Sequence, residues 1–187
     1  MMDKKTDKII LSSENLSEYF YGCLSDVNRQ ANCPLPQEFI LYSSEVMHKY
    51  AISENYFVND SKERVLGMEL LQAEEKTLSE KKEIYREIGD LVLFQLGVFP
   101  QRINSKTPSK GYYLNIGRSA YTKAAHLNCS FYDIPNFYHL LSTSLENLVK
   151  ILTHAAESFS HESLEQYLLE NDDAVIDFSF STKKIAN

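Results

Sequence analysis

Apolar residues recur at steps of three and four along most of this chain, the period of a helix with one buried side. Leu16, Tyr19, Phe20, Cys23, Leu24 and Val27 make the first such stripe, which the prolines of "ANCPLP" end. Pro36 suits the first turn of a second helix, whose apolar side is Phe39, Ile40, Val46, Met47 and Tyr50. After the turn chemistry of "SENYFVND", a third helix from about Ser61 to Glu75 carries Val65, Met68 and Leu71 as its expected inner face.

Thr77-Leu78-Ser79-Glu80 matches a capping box, in which hydroxyl and carboxylate each satisfy a backbone donor at the helix start. The helix it opens is one-sided over Leu78, Ile84, Tyr85 and Ile88. From Ile88 to Phe99 it is apolar almost all round, as in a helix covered on every side. Pro100 closes it, and the polar "QRINSKTPSKG" reads as a loop. The next helix presents Gly117, Ala120 and Ala124, a small face that lets a neighbour come close. Asp133 is placed to cap the helix through Tyr138, Leu141, Leu145, Leu148, Val149, Leu152 and Ala155, with Pro135 near its start, and a short last helix holds Leu164, Tyr167, Leu168 and Leu169.

These segments predict an all-α, single-domain bundle of about seven helices, with a buried central helix near 80–99. Residues 1–11 read as a loose arm, 12–171 as the helical domain, and 172–187 as a tail. Val175-Ile176-Asp177-Phe178-Ser179-Phe180 in that tail has the residue types of a short extended segment.

Composition narrows the function. The 187 residues, 43% hydrophobic and 24% charged with 6 Gly and 5 Pro, suit one globular domain. A net charge of −7 opposes a nucleic-acid partner, which needs a basic surface. No apolar run reaches the length that spans a bilayer, so the expectation is a cytoplasmic protein without a membrane partner. Cys23, Cys33 and Cys129 have neither disulfide-framework nor metal-pair spacing and read as free thiols.

No phosphate loop, dinucleotide fingerprint, nucleophile elbow or zinc-protease motif occurs in the sequence. His154, Glu157 and His161 share a helical spacing that suits metal ligands, but "ESFSHES" interrupts the helix pattern and no second carboxylate helix completes the set. No metal or cofactor is therefore expected.

One residue stands out. Asp90 is the single acid within "GDLVLFQLGVFP". An ionised carboxylate in such a run must be paired or protonated. Arg86 lies one turn earlier on the same helix; Arg102, Arg118, Tyr112, Tyr113 and Tyr121 are the candidates from other elements. Tyr113 is favoured, because the small face of its helix brings it close. Twelve Tyr and ten Phe supply material for a core, a ligand cavity or a partner groove.

The pattern Gly89-Asp90-x-x-Leu93-x-x-x-Gly97-x-Phe99-Pro100-x-Arg102, followed by Tyr112-Tyr113-x-x-x-Gly117-x-x-Ala120-Tyr121, resembles a widespread family of uncharacterised bacterial proteins. The resemblance covers roughly residues 80–157. It implies a bacterial origin, a helical fold and a shared local structure of Asp90, Arg102 and Tyr113, and no reaction. The first reading of function is a non-enzymatic cytosolic protein that binds a partner protein in regulation or assembly, with self-association left open. The alternative is an enzyme or small-ligand binding protein with a pocket near Asp90 and Tyr113. Exposed aromatics favour the first, and a cavity that touches Asp90 favours the second.

Overall fold

The chain enters the bundle as a helical hairpin. In the computed structural model, which describes residues 13–51, 65–100, 108–129, 131, 134 and 136–158, α1 (Ser13–Gln30) packs along α2 (Gln37–Ala51). Leu16, Phe20 and Leu24 of the predicted stripe are buried. The turn between the two helices is clasped by one side chain: Asn28 Nδ2 donates to the Leu35 carbonyl at 2.9 Å, and Asn28 Oδ1 accepts from the Leu35 amide at 2.8 Å. Asn28 is 1% exposed, so the amide takes the place of water for a backbone that prolines keep out of helix.

A short α3 (Leu66–Gln72) runs into a 3₁₀ turn at Ala73–Glu75. Its inner face differs from the expected one. Leu66, Leu70 and Ala73 are buried, whereas Val65, Met68 and Leu71 are 52%, 56% and 71% exposed. A step of strictly three drifts backwards around a helix of 3.6 residues per turn, while the 66–70–73 spacing of four and three stays on one side.

Next comes α4 (Leu78–Val98). The expected capping box is in place: Thr77 Oγ1 accepts from the Glu80 amide at 3.4 Å, and the Thr77 amide donates to Glu80 Oε2 at 3.0 Å. The hydrogen bonds with Thr77 hold the Glu80 carboxyl below its usual range. Thr77→Ala is expected to lower Tm by about 2–4 °C, as loss of a helix cap does in a domain of this size. A melt unchanged within error would show that the box adds nothing.

From Ile88 to Val98 every residue of α4 except Gln95 is buried. It packs against α5 (Lys110–His126) and α6 (Phe137–Ser158), which also pack on each other. The small face of α5 has its expected use. A Cβ added at Gly117 would lie 2.8 Å from Val92 Cγ1 and 2.9 Å from Leu145 Cδ2, so α4, α5 and α6 meet there at a distance only glycine permits. All described elements are helical, and no described helix is long and apolar enough to cross a membrane. The predicted helix at Leu164–Leu169 and the extended tail segment lie outside the described residues, as do Asp133 and Pro135.

A buried carboxylate at the floor of a cleft

The close approach of α4 and α5 settles which residues can reach Asp90. Gly117 lies against Val92, and a Cβ at Gly89 would be 2.5 Å from Tyr121 Cε1. The two helices are therefore antiparallel, and Tyr121 stands level with Gly89 and Asp90. Tyr113 lies two turns further along α5, level with the region of Leu96, about 9 Å along the axis from Asp90. The expectation that Tyr113 holds the acid is corrected on that ground: register, not closeness of the helices, selects Tyr121. Tyr113 instead packs half-buried against the core and edge-on to Tyr112.

Asp90 is 5% exposed. Its Oδ1 accepts from the Tyr121 hydroxyl at 3.0 Å and also from the Tyr42 hydroxyl. One oxygen thus ties α4 to both α2 and α5. Lys49 Nζ, also on α2, stands 3.9 Å from the other oxygen, Oδ2. That separation is an ion pair but too long for a hydrogen bond.

The two hydroxyl donors are fixed by other rings. Tyr121 stacks on Tyr138 with centroids 5.9 Å apart. Tyr42 makes edge contacts with Phe131 at 4.9 Å, Phe137 at 5.1 Å and Tyr138 at 5.8 Å. Aromatic pairs in these geometries add to what burial alone gives, and they hold the phenols in the rotamers that aim them at Asp90.

Burial pushes the Asp90 carboxyl above its ordinary 3.8, partly offset by the hydrogen bond from Tyr42, the charge of Lys49, the Tyr121 hydroxyl and Arg86. Burial and the neighbouring Asp90 push Tyr42 and Tyr121 well above 10, so both stay protonated as donors. Burial likewise pushes Tyr138 up to about 12.

Above Asp90 opens a cleft of about 260 Å³ between α2 and α4. Lys49 and Glu45 line it from α2, Arg86 from α4, and Tyr42, Phe131 and Tyr138 give it aromatic walls. Tyr42, Glu45, Val46 and Lys49 are spaced i, i+3, i+4, i+7, which puts them on one stripe of α2. Arg86 feels the charge of Asp90, but among the described contacts no ion pair or hydrogen bond joins the two.

The remaining sequence candidates lie elsewhere. Arg118 pairs with Glu146 at 3.1 Å on the surface, so it is not a partner of Asp90. Tyr112 is 37% exposed and reaches Gly67 of α3. Arg102, which the resemblance groups with Asp90 and Tyr113, lies outside the described residues. His154 Nδ1 meets Glu157 at 3.3 Å at an exposed site, His161 lies outside the described residues, and no group of three potential metal ligands occurs among the described ones. Tyr42 and Lys49 went unrecognised in the sequence, although Tyr42 is one helical turn before Val46 on the predicted apolar side.

The described residues therefore define an all-helical bundle protein with a buried, tyrosine-held carboxylate. Compared with known proteins, the chain matches no family model, no curated protein and no solved structure.

Proposed function

We propose that the protein is a cytosolic binding protein, without a reaction of its own, that holds a small polar molecule in the cleft above Asp90. The observation that carries this reading is the position of Asp90: a buried carboxylate on the floor of an open cleft with a cation on each facing helix. An acid needed only for packing has no use for an opening above it. Concave sites with a few convergent polar groups and a perturbed carboxyl are where ligands bind. The inward turn of the aromatics also supports the pocket over an aromatic partner groove, since Phe39, Tyr42, Tyr50, Tyr85, Phe94, Tyr121 and Tyr138 are all buried. The bundle belongs, on this reading, to the bacterial family that the Asp90 pattern resembles, with about seven helices arranged around α4 as the central one.

Thermal-shift screening of the purified full chain against a library of small polar metabolites tests the proposal. Hits are expected that raise Tm for the parent and lose most of that effect in Lys49→Met and Arg86→Gln. Hits indifferent to both substitutions would sink it. A second reading, a partner protein docked on α3, is favoured by the exposed row Val65, Met68 and Leu71. Its mark is a defined complex from the native host that Met68→Asp abolishes and Arg86→Gln leaves intact.

A further inference from the structure

The cleft carries balanced charge. Lys49 and Arg86 supply two cations, and Glu45 and Asp90 two acids, all facing one space. A ligand that is only an anion would meet two carboxylates, and one that is only a cation would meet two basic groups, each a repulsion at short range. A ligand with both charges meets a partner for each.

The floor has an acceptor to offer. Asp90 Oδ1 takes both tyrosine hydroxyls, while Oδ2 has Lys49 no nearer than 3.9 Å. A carboxylate has about four acceptor positions, so Oδ2 can take a further donor. Tyr42, Phe131 and Tyr138 line the same cleft, and aromatic faces attract an ammonium group. The cleft volume of about 260 Å³ lies just under the roughly 300–1,000 Å³ of sites for drug-sized ligands, so it suits a smaller molecule such as a single amino acid.

We propose, resting on the small-ligand reading of this same cleft, that it takes a zwitterion of amino-acid size, with its ammonium group on Asp90 and Glu45 and its carboxylate on Lys49 and Arg86. Lys49 already stands beside Asp90 and turns toward the incoming carboxylate. Arg86 adds a planar fork suited to a carboxylate.

The test is calorimetric titration of the full chain with each common L-amino acid, then with the best binder blocked as its N-acetyl derivative or its methyl ester. At least one free amino acid should bind, and either block should weaken it several-fold or more, because each removes one of the two charges that the cleft pairs. Arg86→Gln should weaken the free amino acid several-fold and leave the methyl ester unaffected. Glu45→Gln should likewise weaken the free amino acid several-fold and leave the N-acetyl form unaffected. Both positions are at the mouth of the cleft, so unchanged circular dichroism serves as the folding control. Equal binding of free and blocked forms would overturn the inference. So would a screen in which other polar molecules bind in an Arg86-dependent way and amino acids do not, an outcome that leaves the site itself standing. If neither class binds, the site reading fails together with this one.

Discussion

Asp90→Ala should unfold in urea about 2–4 kcal/mol below the parent at neutral pH. The substitution leaves the Tyr42 and Tyr121 hydroxyls buried with no acceptor, and each orphaned donor costs about 1–3 kcal/mol. Relief of a desolvated charge offsets part of that loss. Asp90→Asn retains an acceptor oxygen for both phenols and removes the charge, so it should stay within about 1 kcal/mol of the parent. A native carboxyl raised above its unfolded value binds its proton more tightly in the folded state. The stability it adds is present at low pH and is lost as pH rises from the ordinary 3.8 through the raised value. The groups facing it do not reverse this: Tyr42, Tyr121 and Tyr138 remain neutral there, and Arg86 remains charged. Asp90→Asn should therefore gain on the parent as pH rises through that window. An alanine variant within about 0.5 kcal/mol of the parent would mean a surface-like carboxylate.

A second large effect is expected at Gly97. A Cβ there would lie 2.6 Å from Leu152 Cβ and 2.8 Å from Leu152 Cδ2. The first atom is fixed to the backbone of α6, so no rotamer change clears it and the helices must separate. Gly97→Ala should cost about 1–3 kcal/mol as overpacking does, outweighing the roughly 1 kcal/mol that alanine gains in helix propensity. Gly22, in α1, has no atom within 4 Å of an added Cβ. Gly22→Ala should thus stabilise by about 0.5–1 kcal/mol. Chemical denaturation of the two variants side by side separates packing from propensity. Equal and stabilising effects at both sites would contradict the α4–α6 contact.

The helices themselves were legible in the sequence, because burial imposes a period that survives in the residue pattern. Thr77 and Glu80 marked a start, Pro100 an end, and Ile88 to Phe99 a covered segment. Gly117 and Ala120 marked a close contact. What the pattern lacked was register between helices. Tyr113 and Tyr121 lie on the same helix with equal chemistry, and only the antiparallel match of Gly117 to Val92 and Tyr121 to Gly89 separates them. Tyr42 is 48 residues from Asp90. No local period encodes which distant helix supplies a partner, so the α2 half of the site was invisible until the helices were assembled. The α3 face failed for a different reason. A short helix offers few residues to fix its phase, and a step of three and a step of four diverge within two turns.

Both the stability account and the cleft depend on the Asp90 carboxyl being buried and held by two phenols. Carbon-13 titration of the Asp90 side chain in the full chain, in the parent and in Tyr42→Phe, reads that state directly. The parent should titrate above 3.8, and Tyr42→Phe should titrate higher still, since the lost hydrogen bond favoured the ionised form. A carboxyl that titrates at or below 3.8 and does not respond to Tyr42→Phe would contradict the account.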